Sequence, residues 1–257
     1  MLDGLVAGAR DDAAAREAQI PFELIVERAR SAPAVTPFGK HTVSENSVGV
    51  IAEVKRASPS KGPLADIPDP VALAKKYEAG GAVAISVLTE GRQFLGSLED
   101  LRAVSQAVSI PVLRKDFITT DYQVVEARAY GADMVLLIMA CLSDDDAARL
   151  LALAKSWGMA VLVEAHTREE TERAVALGAD IIGINARDLA TFELDRDLFG
   201  NLSPLLPANV LKVAESAVAS VEDVRHYRSG GADCVLVGET LVTGGAPTER
   251  VREFSQA

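Results

Sequence analysis

Four short phrases recur along the chain: "GGAVAISV" from Gly80, "GADMVLLI" from Gly131, "GADIIGIN" from Gly178 and "GGADCVLV" from Gly230. Each follows a helix-like segment and joins Gly-Ala to an apolar, β-rich run. Glycine just past a helix accepts the left-handed conformation that ends it. The last glycines of the phrases, at 81, 131, 178 and 231, are 50, 47 and 53 residues apart. One strand and one helix take about half that length, so each step holds two βα units.

The missing strands lie between the phrases: "VGVIAEV", "IPVLRK", "MAVLVEA" and "NVLKVAES". Interleaving predicts eight strands near 48–54, 82–88, 110–115, 133–139, 159–165, 180–185, 209–216 and 233–238. Segments such as "SDDDAARLLALAKSWG" and "TREETERAVALG" carry apolar residues at helical spacing, and several open with Asp, Ser or Thr as N-caps do. The helix after strand six, near 197–205, is short. Strands apolar on both faces that alternate with helices form parallel sheets. Eight such units predict an α/β fold, a (β/α)₈ TIM barrel. A doubly wound open sheet is the alternative, but no Gly-x-Gly-x-x-Gly follows the first strand. Residues 1–45 read as a helical extension of one or two amphipathic helices broken near Pro21, too short for a separate domain. The expectation is one barrel domain over 1–257, with the barrel itself at 48–257.

A barrel of this type works at the C-terminal ends of its strands. Strand one carries Glu53 and Lys55 there, which share a face because they are two residues apart. Strand three ends in Arg114, Lys115 and Asp116, and strand five in Glu164 with His166 beyond it. Strand six ends in Asn185, followed by Arg187 and Asp188, strand seven in Glu215 and Ser216, and strand eight in Gly238 and Glu239. One such charge marks where a buried strand meets water. Two lysines and three glutamates on one rim shift each other's proton affinities, and that is equipment for general acid–base chemistry. The loops after strands seven and eight often hold phosphate in this fold, and Ser216, Ala217 and Gly238 there are small. The loop Ser58-Pro59-Ser60 after strand one can close over the same region.

Composition narrows the partners. The 257 residues are 49% hydrophobic and carry a formal net charge of −11, so nucleic acid is not an expected partner. Cys141 and Cys234 sit in or beside apolar runs and read as core residues. His41, His166 and His226 are scattered, without metal spacing, and read as surface residues. With no leader-like N-terminus and no apolar run of about 18 residues, a reduced, cytoplasmic setting without membrane is expected.

The segments "IAEVKRASPSKG", "VLRKDF", "VLVEAH", "GINARDL", "VAES" and "LVG" resemble, in order and spacing, those of indole-3-glycerol phosphate synthases, and "VGETLVTGG" resembles the actinobacterial type. The resemblance covers about residues 48–245. It implies ring closure, loss of CO₂ and loss of water on 1-(2-carboxyphenylamino)-1-deoxyribulose 5-phosphate, with no cofactor and no metal. It further implies that Lys115 is the acid that protonates the ketone oxygen. Lys55 would hold the substrate anions and serve in dehydration. Glu164 would stabilise cationic intermediates or accept a proton, and Glu53 would orient the lysines. Asn185 and Glu215 would meet the substrate hydroxyls. Substrate-binding positions implied are Ser58, Phe94, Phe117, Leu136, Arg187, Leu189, Ser216, Ala217, Val218, Gly238 and Glu239. The partner is then a small phosphorylated molecule, and the protein a monomer or weak homodimer.

The family usually reads Glu-Ser-Gly after strand seven, where this chain has Ala217. If φ is positive there, alanine costs about 1 kcal/mol and crowds the phosphate. Glu239, where many members have Ser, is also unexpected beside an anion. A phosphoribosylanthranilate isomerase would instead want a Cys or Asp pair at an early and a middle strand, where this chain has Lys and Glu. A non-catalytic binding relative is the remaining alternative, and only Ala217 speaks for it.

Overall fold

The computed structural model describes residues 2–44, 47–188 and 191–257. Eight parallel strands close into a barrel: β1 (Gly49–Val54), β2 (Ala84–Leu88), β3 (Val112–Lys115), β4 (Met134–Ile138), β5 (Ala160–Ala165), β6 (Ile181–Asn185), β7 (Leu211–Glu215) and β8 (Cys234–Val237). Each pairs with its sequence neighbours, and β8 closes on β1 through Gly49↔Cys234 to Ala52↔Val237. Every strand falls inside its expected range. The helix after β6 is short as expected, Leu198–Leu202 with a 3₁₀ turn at Ser203–Leu205.

Alternation along the strands sorts side chains into two layers. Ile51, Leu113, Met134, Leu162, Ile181, Val213 and Leu236 fill the barrel interior. Val50, Ala52, Val54, Val112, Val135 and Val163 face the surrounding helices. Continuing the inward series by two residues reaches Glu53, Lys115, Glu164 and Glu215. The barrel's own period therefore delivers them to its mouth. Helix starts are fixed locally: Asp69, Ser97, Thr120, Ser143, Thr167 and Ser220 each accept a backbone N–H of the first turn. The recurrent glycines Gly81, Gly131, Gly178 and Gly231 have φ of 93°, 87°, 74° and 89°, as a helix-ending turn requires.

The N-terminal extension is two helices, α1 (Leu2–Gln19) and α2 (Phe22–Ser31), with Pro21 between them. They pack on the helix Asp121–Ala129 that follows β3: Ala13, Ile25 and Ala29 meet Tyr122 and Val125. The contact is also ionic. Arg114, one residue out of step with Lys115, points outward and is fully buried. It donates to Glu126 Oε2 at 2.9 Å, to Asp116 Oδ2 at 3.0 Å, to Thr89 Oγ1 at 3.1 Å and to the Gln123 carbonyl at 2.9 Å. Arg16 of α1 closes on the same Glu126 at 2.6 and 2.9 Å. Arg114 is thus not a rim residue but the cross-link between barrel wall and extension, while Asp116, which it holds, lines the mouth. Glu126→Ala strands a buried arginine and is expected to cost about 3–5 kcal/mol in urea unfolding. Arg149→Ala, which breaks only exposed pairs, should cost under about 1 kcal/mol.

Candidate active site

The barrel mouth opens into a cleft of about 270 Å³. Every candidate site residue read from the sequence lines it except Leu189, which lies outside the described residues. At its floor is Lys115. Its Nζ donates to Glu164 Oε2 at 3.2 Å and lies 3.6 Å from Glu215 Oε2. Burial works against its charge, but Glu164, Glu215 and Glu53 outweigh that and hold the ammonium above its ordinary range. Lys115 is therefore a charged, desolvated ammonium.

The two carboxylates beside it differ. Burial alone would raise Glu164, yet Lys115 and His166 hold it well below the ordinary carboxylate range. Burial and the Glu164 charge push Glu215 well above that range, against Lys115. The two glutamate side chains also share a hydrogen bond, which lowers Glu164 and raises Glu215. Room for Glu215 comes from Gly183 on β6, where a Cβ would sit 2.1 Å from Glu215 Oε1.

Glu53 occupies the other side. Its Oε1 accepts from Ser86 at 3.3 Å, and Lys55 Nζ lies 3.7 Å from Oε2. A Cβ on Gly238 would fall 2.4 Å from Glu53 Oε2. Gly238 is thus needed to seat Glu53, a reason distinct from the close approach of phosphate that its size suggests. Lys55 also stands over the Phe94 ring at 5.6 Å. Phe94 and Phe117 lie 6.3 Å apart and tilted by 48°; with Leu136 and Val218 they give the cleft its apolar walls.

Loops close the far end. Asn185 Oδ1 accepts from Ser216 Oγ at 2.8 Å and from the Arg187 backbone at 3.1 Å, so strands six and seven share one polar link. Arg187 itself donates to the Phe192 carbonyl at 3.3 Å. Thr240 Oγ1 donates to the Val218 carbonyl at 2.6 Å and joins the last two loops. The loop after β1 carries Ser58, whose hydroxyl is 3.4 Å from Ser60, and crosses the mouth where Lys61 pairs with Glu239. The Glu239 side chain is turned to that lysine.

Two features escaped the sequence. Glu90, two residues past β2, is buried and accepts the backbone N–H groups of Arg92, Gln93 and Phe94 at 2.9, 2.8 and 2.9 Å. It folds the loop that presents Phe94. His166 is not a surface residue: its ring is buried between Glu164 and Glu170. The sequence did hold a signal for it, since "HTREE" places Glu170 at the third helical position after the Thr167 N-cap, where its carboxylate reaches back to the His166 N–H at 2.7 Å.

A parallel (β/α)₈ barrel with a buried ammonium between carboxylates and an aromatic-walled, cation-bearing mouth defines an enzyme that moves protons on a small anionic substrate. The indole-3-glycerol phosphate synthase family model matches residues 2–254, and the chain belongs to that family. It is 53% identical over 257 residues to the indole-3-glycerol phosphate synthase of Rhodococcus opacus, covering 100% of this chain and 95% of that one. The synthase of Mycolicibacterium smegmatis is 54% identical (100% and 94% covered) and that of Leifsonia xyli 55% identical (99% and 97% covered). Among solved structures, an N-acetylmannosamine-6-phosphate 2-epimerase from Clostridium perfringens shares the fold at 15% identity and a TM-score of 0.63, over 85% of this chain and 98% of that one.

Ala217 does sit in the left-handed region, with φ of 57°, next to Ser216 at 69°. Ala217→Gly is expected to stabilise the protein by about 1 kcal/mol in urea unfolding and to lower KM for substrate. An unchanged KM would show that the alanine strains the backbone without crowding the ligand.

Proposed function

We propose that this protein is an indole-3-glycerol phosphate synthase, closing the indole ring of 1-(2-carboxyphenylamino)-1-deoxyribulose 5-phosphate in tryptophan biosynthesis. The observation that carries the reading is Lys115, a buried ammonium held by Glu164 and Glu215 beneath an aromatic-walled cleft. The anthranilate ring lies between Phe94, Phe117 and Leu136. The phosphate meets the loops at 216–219 and 238–240, which Thr240 ties together.

The ring carbon bearing the carboxylate attacks the ketone carbon. As that C–C bond forms, the ketone π electrons go to oxygen, which takes the Lys115 proton. A developing alkoxide is a stronger base than an amine, so a tightly held lysine proton still transfers. The ring intermediate is cationic, and ionised Glu164 stabilises it. CO₂ then leaves, and its C–C electrons restore the aromatic ring. Dehydration follows: Lys55 gives a proton to the departing hydroxyl, and Glu53 takes one from the carbon next to nitrogen, which forms the indole double bond. CO₂ and water together account for every atom between substrate and product. Glu215 and Asn185 hold the remaining hydroxyls.

The chain works as one barrel domain, a monomer or weak homodimer in the cytoplasm. The docking of α1 and α2 through Arg16 supports the single domain. Among the described residues no helix is long and apolar enough to cross a membrane.

Purified protein given the substrate should produce the fluorescent indole product, and Lys115→Ala should lower kcat by at least about 100-fold. Saturable substrate binding without turnover in the unaltered protein would move the reading to a non-catalytic relative.

A further inference from the structure

Lys115 stands between two glutamates at similar distance, and its charge alone does not say which of them holds a proton. The asymmetry lies behind them. His166 Nε2 is 3.1 Å from Glu164 Oε1, while Nδ1 is 3.2 Å from Glu170 Oε2. The Nε2 contact is an ion pair off the axis of a hydrogen bond, and no corresponding cation stands behind Glu215 among the ion pairs of the described residues. We propose that His166 is a positioning residue that assigns the roles of the two carboxylates: its imidazolium keeps the negative charge on Glu164 and leaves the proton on Glu215.

The geometry requires both ring nitrogens to face carboxylates, which only the doubly protonated ring satisfies as a donor. The groups around the ring are Glu164 on β5, Glu170 with Arg173 beside it on the following helix, Lys115 and Glu215 beyond Glu164, and the Cys141 thiol after β4. Carboxylates in direct contact outnumber cations there. Burial opposes the ring's charge, but Glu164 and Glu170 raise it to about 10. Glu170 also accepts the His166 backbone N–H at 2.7 Å, so side chain and backbone are fixed by one carboxylate.

The inference rests on Glu164 being the working carboxylate of the proposed mechanism. Glu164→Gln, which should abolish turnover, tests that separately from the role of His166. The direct experiment is ¹⁵N NMR of the histidine rings in the unaltered protein. His166 should carry two N–H groups from pH 6 through pH 8. The kinetic companion is the pH profile of kcat/KM. Without the imidazolium, Glu164 binds its proton more tightly, so in His166→Gln the acid limb should move up by about one to three pH units. Glu170→Gln, which weakens the imidazolium without touching Glu164, should move it less in the same direction. A neutral His166 at pH 7, or an acid limb unmoved in both variants, would overturn the proposal.

Discussion

A buried ammonium is stable only with anions around it, and Lys115 has two carboxylates at its nitrogen. Much of the barrel's interior serves that one arrangement. The inward period of β3, β5 and β7 brings Lys115, Glu164 and Glu215 to one level. Gly183 is a glycine because the Glu215 carboxylate occupies the place of its Cβ, and Gly238 is one because Glu53 does the same. A side chain at either position would displace a carboxylate and leave a lysine underpaired. The site's electrostatics and the small residues of its strands are thus one constraint seen from two sides.

The outer face of β3 repeats the logic with a different cation. Arg114, adjacent in sequence to Lys115 and pointing the opposite way, gathers Glu126, Asp116 and Thr89, and Arg16 brings α1 to the same Glu126. From α1 the chain reaches back to the mouth: Asp12 accepts from Arg92 at 2.6 and 3.0 Å, and Leu5 lines the cleft. Arg92 belongs to the loop that Glu90 folds and that carries Phe94. The N-terminal extension is therefore connected, contact by contact, to the aromatic wall of the site.

How much of this the sequence disclosed follows from the range of each signal. Period two along a strand is local, so all eight strands and the inward Glu53, Lys115, Glu164 and Glu215 were legible. The same period also sets Arg114 apart from Lys115. It does not say that the outward side is sealed by the helix Asp121–Ala129 with α1 behind it, and Arg114 read as a rim charge for that reason. His166 read as a surface residue because its burial depends on β5 and the next helix pinching it from two directions. Glu90 acts through backbone amides, which leave no trace in residue types. The positive φ of Ala217 could be expected from the glycine usual there in the family, and the structure has it.

The central claim is that Lys115, and not Lys55, meets the ketone oxygen. A crystal structure with a substrate analogue whose ketone is reduced to an alcohol tests it most directly. The account predicts Lys115 Nζ within about 3 Å of that hydroxyl, with Glu164 and Glu215 still flanking it. A hydroxyl bound to Lys55, with Lys115 left paired to its glutamates alone, would contradict the account.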